Sequence, residues 1–134
     1  MTPDSSVVIA AFATWNRHHE AAVEALAEND VRDLLAHAEL ESYSVLTRLP
    51  EPFRAEPALV AEYLHEDYPG RRIVLPERER RNLIRRLASL SIAGGSVYDA
   101  LVASTAAHHG HALLSCDQRA MSVYSRLDVE VTYL

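Results

Sequence analysis

The sequence predicts an α/β domain, with a central parallel sheet of four to five short strands and helices on both faces in three layers. Two observations predict it. Short β-branched or leucine-rich runs alternate with longer segments of helical periodicity along the whole chain. The 134 residues are enough for one core and carry no internal repeat, low-complexity tract or linker, so residues 1–134 read as a single domain.

Taken in order, Met1-Thr2-Pro3 leaves room for only a very short first strand, and Asp4 to Ile9 reads as a strand exit turning into a helix. Val7 to Ala13 is apolar and helical, Trp15 to His19 breaks it, and Glu20 to Glu28 is an alanine-rich helix. A strand is expected over Val31 to Ala36, then a helix over Leu40 to Leu49 with Val45, Leu46 and Leu49 on one side. Pro50 and Pro52 end it, and Pro57 opens a helix from about Ala58 to His65. Arg72 to Leu75 is β-branched and reads as a strand. Pro76 begins a helix over Glu77 to Leu87, with Leu83, Ile84 and Leu87 inward and Arg78, Arg81 and Arg85 outward. Gly94-Gly95 precedes a helix starting near Val97, and Gly110 stops it before a strand at Ala112. A helix from Gln118 to about Arg126 and a strand over Val129 to Tyr133 complete the chain.

In such a sheet the strand-to-helix junctions share one edge, where ligands bind at a switch in strand order. Four carboxylates fall at or near these junctions: Asp4, Glu41, Asp99 and Asp117. Each alone has a plainer explanation. Aspartate is a favoured helix N-cap, Ser96 to Asp99 has capping-box spacing, and acid in a first turn suits the helix dipole. Together they point elsewhere. Crowded carboxylates repel and raise one another's pKa values, and a hard divalent cation with oxygen ligands, Mg²⁺ or Mn²⁺, resolves the conflict. Such a cation polarises a phosphoryl oxygen and activates water.

Four motifs carry these acids: Asp4-Ser5-Ser6-Val7-Val8, Glu41-Ser42-Tyr43-Ser44-Val45-Leu46-Thr47-Arg48-Leu49-Pro50, Gly94-Gly95-Ser96-Val97-Tyr98-Asp99-Ala100-Leu101, and Leu113-Leu114-Ser115-Cys116-Asp117-Gln118-Arg119-Ala120. In this order they resemble the PIN-domain ribonucleases, specifically the VapC toxins of bacterial toxin–antitoxin pairs. The resemblance implies a PIN-like fold and a Mg²⁺-dependent endoribonuclease. It also implies a homodimer held in check by a cognate VapB-like antitoxin. It assigns Asp4, Glu41, Asp99 and Asp117 to the family's acidic quartet, as catalytic residues and metal ligands, with Ser6 and Ser115 supporting them. Glu39 lies two residues from Glu41, but the register of the residues that follow selects Glu41.

Composition narrows the alternatives. Formal net charge is −6, which argues against a broad basic nucleic-acid surface but not against an enzyme whose excess acid sits in a metal site. All 13 cationic residues are arginine. Without lysine or a glycine-rich phosphate loop, a P-loop nucleotide enzyme is excluded, and a phosphoacceptor receiver domain loses its active-site lysine. A catalytically inactive module that only binds a partner protein stays open as a second class. No apolar run is long enough for a membrane span and no secretory signal is visible. The single cysteine, Cys116, forms no internal disulfide, and the expected compartment is the cytoplasm. His108, His109 and His111 cluster in a helix-to-strand turn, at the edge opposite the acids, and read as a surface loop. Trp15 with His18 and His19 reads as a loop near the active edge or as a core or interface anchor.

Overall fold

The computed structural model describes residues 1–134. Five parallel strands are present: β1 (Thr2–Pro3), β2 (Leu34–Leu35), β3 (Arg72–Ile73), β4 (Leu113–Ser115) and β5 (Val131–Tyr133). They form two ladders, β1-β4-β5 and β2-β3, all pairings parallel. β2 lies against β1, so the strands run in the order 3-2-1-4-5. The order reverses between β1 and β4, which makes the carboxyl ends of those two strands the switch point.

Seven helices flank the strands: α1 (Ser5–Phe12), α2 (His19–Glu28), α3 (Ala36–Arg48), α4 (Pro57–Glu66), α5 (Glu77–Ser89), α6 (Ser96–His108) and α7 (Met121–Tyr124). A 3₁₀ turn, Gln118–Ala120, precedes α7. The layers follow from the two-residue period of a strand. Leu35 of β2 and Leu113 of β4 enter the larger core with α5, α6 and α7. Their neighbours Leu34 and Leu114 point the other way, Leu34 into a cluster with Val8, Leu46 and Val60, and Leu114 into one with Val7, Ala10 and Ala22. Leu34, Leu35, Leu113 and Leu114 are all almost fully buried, as both faces of the sheet are covered. No helix is long and apolar enough to cross a membrane.

Several boundaries differ from expectation for local reasons. The strand expected over Val31 to Ala36 contracts to Leu34–Leu35, because helix α3 begins at once, at Ala36. Glu41 therefore stands in the second turn of α3, and Glu39 in the first. Ile84 is 66% exposed, and α5 buries only Leu83 and Leu87, an i, i+4 pair one turn apart. The helix expected over Gln118 to Arg126 divides into the 3₁₀ turn and the four-residue α7. Gly110 has φ +72°, a left-handed turn that lets the chain leave α6 for β4.

Candidate active site

Asp4 follows β1 directly and caps α1, with the Ser6 amide 3.0 Å and the Val7 amide 3.4 Å from Oδ1. The Ser6 hydroxyl donates to the same oxygen. The Tyr124 hydroxyl donates to Oδ2 at 2.9 Å. Only 3% of Asp4 is exposed. Burial raises its pKa, and the hydroxyls of Ser115, Ser6 and Tyr124 and the Val7 amide pull it back only in part.

The second strand of the switch point is tied to the first through side chains. Ser6 accepts the amide of Cys116 at 2.8 Å, so one hydroxyl joins the end of β1 to the end of β4. Ser115 accepts the amide of Asp117 at 3.0 Å. Asp117 itself caps the 3₁₀ turn, accepting the Arg119 amide at 2.9 Å, with Arg119 Nε 3.3 Å from the same oxygen. The capping explanation thus holds for Asp4 and Asp117 as a local fact, and it does not compete with a shared site.

Asp99 behaves differently. Its helix α6 starts at Ser96 behind Gly95 and has no side-chain cap, so the capping box at Ser96 to Asp99 is not formed. Asp99 is pushed up to about 6, by burial first and then by the charges of Glu41, Asp117 and Asp4, with Arg119 opposing them. Asp99 therefore lies within reach of the charges of the other three predicted acids, of which Asp4 and Asp117 are 113 residues apart in the chain. Glu41 accepts a hydrogen bond from the Ser5 hydroxyl of α1. Glu39 instead pairs with Arg72 of β3 and faces away into that contact.

Two partners of the acids escaped the sequence reading. Tyr124 reaches Asp4 across 120 residues, and Ser5 was overshadowed by Ser6 beside it. Only the Asp-Ser-Ser run hinted at Ser5, and nothing local pointed to Tyr124. A third neighbour is His37, whose Nε2 lies 3.5 Å from Glu41 Oε2 and whose ring stacks on Tyr98 at 5.2 Å between centroids. The thiol of Cys116 is pushed up to about 11 by burial and by Asp4, so it stays protonated at neutral pH and serves as packing. His109 lies at the other end of α6, its Nε2 2.8 Å from the Val74 carbonyl, away from the acids.

As donors, four carboxylates with no opposing lysine suit a hard divalent cation. As they stand, no three Asp, Glu, His or Cys side chains converge into a ready ligand set. The donor chemistry of the four carboxylates fits such an ion.

A shallow parallel sheet with acids at its switch point defines a class, and comparison with known proteins gives it a name: residues 1–127 match the PIN domain, and the chain belongs to that family. Within the family it groups with the VapC ribonucleases. It is 47% identical to Ribonuclease VapC40 of Mycobacterium tuberculosis over 131 residues, covering 98% of this chain and 96% of that protein. It is 40% identical to Ribonuclease VapC27 of the same organism over 128 residues, covering 96% and 92%.

Proposed function

We propose that the chain is a divalent-metal-dependent endoribonuclease, the toxin of a type II toxin–antitoxin pair acting in the cytoplasm. The observation that carries this reading is that Asp99 lies within reach of the charges of Asp4, Glu41 and Asp117, expressed in its raised pKa. Two relatives named as ribonucleases over nearly their full length support it.

The quartet would hold Mg²⁺ or Mn²⁺, which when bound supplies Lewis-acid polarisation of a phosphoryl oxygen and an acidified water. The chain's own residues do the positioning. Asp4 is held by Ser6 and Tyr124, Ser6 ties the β1 end to the β4 end, and Ser115 fixes the backbone that carries Asp117. Asp99 and Glu41 would add their carboxylates from α6 and α3. The products are a 5′-phosphate and a 3′-hydroxyl. A cognate VapB-like antitoxin blocks the same acids, most directly by an arginine paired bidentately with them. The active form is a homodimer.

Purified protein incubated with cellular RNA should cleave it with Mg²⁺ or Mn²⁺ and stop when chelator is added. Cleavage that persists in chelator, or none with either metal, defeats the reading and leaves a partner-binding module. Co-expression with the product of the adjacent gene should restore growth.

A further inference from the structure

Beside the acids lies a cavity of about 660 Å³ that the quartet does not explain. Ser6 and Asp117 form its wall on the side of the acids. The rest of its lining includes Trp15, Asn16, Arg17, Gln118 and Arg119. Trp15 is 50% exposed and rests against Phe53, 46% exposed, with ring centroids 4.7 Å apart. One face of a large aromatic pair is thus left to water, beside a cleft that Asp117, alone of the four acids, helps to line.

The loop that carries Trp15 is pinned. The Asn16 amide bonds the Ala13 carbonyl at 2.9 Å, the His18 amide bonds Asn16 Oδ1 at 2.8 Å, and His19 Nδ1 meets the Ala10 carbonyl at 2.8 Å. The ring is presented before any partner arrives, which spares the entropy of ordering it. The cations beside it are open. Arg17 is exposed, its Nε meeting only the ring Nε2 of His18 at 3.1 Å. The Arg119 side chain is 93% exposed, with only its Nε engaged, 3.3 Å from Asp117 Oδ1.

Resting on the ribonuclease reading, we propose that this cavity is a nucleotide subsite: Trp15, backed by Phe53, stacks the base of a single-stranded RNA nucleotide next to the scissile phosphate, while Arg17 and Arg119 contact its phosphates. In a chain of net charge −6, these are the cations placed to offset the repulsion between a polyanion and the acid cluster. Asn16 and Gln118 offer amide donors and acceptors at the same wall. Stacking of bases on aromatic rings beside a cationic track is how single strands are gripped with little sequence preference.

Trp15 is the sole tryptophan, so its fluorescence reports the subsite alone. Titration with hexaadenylate RNA in chelator at low ionic strength should quench it saturably. In Mg²⁺, Trp15→Leu should raise KM for RNA at least about fivefold with kcat within about twofold, and Trp15→Phe should stay near the parent. Thermal unfolding confirms that both variants fold. A parent that cleaves RNA without any fluorescence change, or a Trp15→Leu variant with unaltered KM, overturns the subsite and leaves the ribonuclease reading standing. A Trp15→Leu variant that cleaves normally but loses its antitoxin assigns the surface to the protein partner and overturns it equally. Saturable quenching with no cleavage under any metal supports the subsite and sinks the catalytic reading instead.

Discussion

Asp4 and Asp99 face the same edge of the sheet from opposite kinds of surroundings. Asp4 grows out of β1 and is almost wholly buried, with both carboxylate oxygens accepting hydrogen bonds from Ser6, Val7 and Tyr124. Asp99 sits in the first turn of α6, half-buried, in a helix that no side chain caps. Both are raised in pKa, with burial as the main cause, but the secondary causes differ. Hydrogen-bond donors oppose the rise at Asp4, while neighbouring carboxylates add to it at Asp99. The lesson is a division of labour. The strand end supplies a fixed carboxylate whose position the fold dictates, and the helix supplies one whose charge the fold tolerates poorly without a counter-ion.

Removing each acid should therefore do opposite things to stability while abolishing the same activity. The largest effect belongs to Asp4→Ala. It removes the cap of α1 and strands the Tyr124 hydroxyl in the core, together costing about 2–4 kcal/mol, with relief of a buried charge offsetting part of this. Urea unfolding should show a clear net loss, and RNA cleavage should fall by roughly 10²-fold or more. An Asp4→Ala protein as stable as the parent would erase the contrast.

Tyr124→Phe sharpens it at smaller scale. The ring keeps its packing but one oxygen of Asp4 loses its donor, so stability should drop by about 1–2 kcal/mol. Cleavage should fall by about tenfold, as is usual for a partner that orients a ligand. A variant that loses stability but keeps full activity would make Tyr124 a packing residue and nothing more.

The smallest shift in stability, with the opposite sign, is expected for Asp99→Asn. Asparagine keeps the size and removes the charge that Glu41, Asp117 and Asp4 repel, so in chelator at neutral pH the variant should melt at or above the parent temperature. Millimolar Mg²⁺ should raise the parent's melting temperature and the variant's much less. The parent also carries a pH signature. An unfolded Asp99 titrates near 3.8 and the folded one near 6, so between these values the folded state holds more protons. The destabilisation is fully present above pH 6 and is relieved as the pH falls from about 6 toward 4. In the same window protons compete with Mg²⁺, and the metal-induced stabilisation should fade. Melting curves of both proteins at pH 7 and pH 5, with chelator and with Mg²⁺, test all three statements. A variant clearly less stable than the parent in chelator, with an unchanged Mg²⁺ response, would return Asp99 to a helix-cap role.

Much of this molecule was legible before any coordinates. Alternation of short apolar runs with helical segments dictated a parallel sheet between two helical layers, because leucine pairs such as Leu34-Leu35 and Leu113-Leu114 can be buried only if both faces are covered. Proline and glycine positions marked helix starts and stops, since their effects on φ are local. Asp4 and Asp117 could be nominated because residues that follow the strands of a parallel sheet share one edge whatever their spacing in the chain. Glu41, by contrast, stands in the second turn of α3, and Asp99 lies on α6, which follows α5 and not the strand-to-helix junction expected for it. The tertiary structure decided the rest. It set Glu39 against Arg72 and Glu41 against Ser5, although the two glutamates are two residues apart on one helix, because a step of two in an α-helix turns a side chain by about 200°. It brought Tyr124 to Asp4 over 120 residues and stood Trp15 on Phe53 beside the acids. Those are long-range contacts between elements of different periodicity. Local sequence encodes the faces that meet, but only the closed fold chooses which atoms touch.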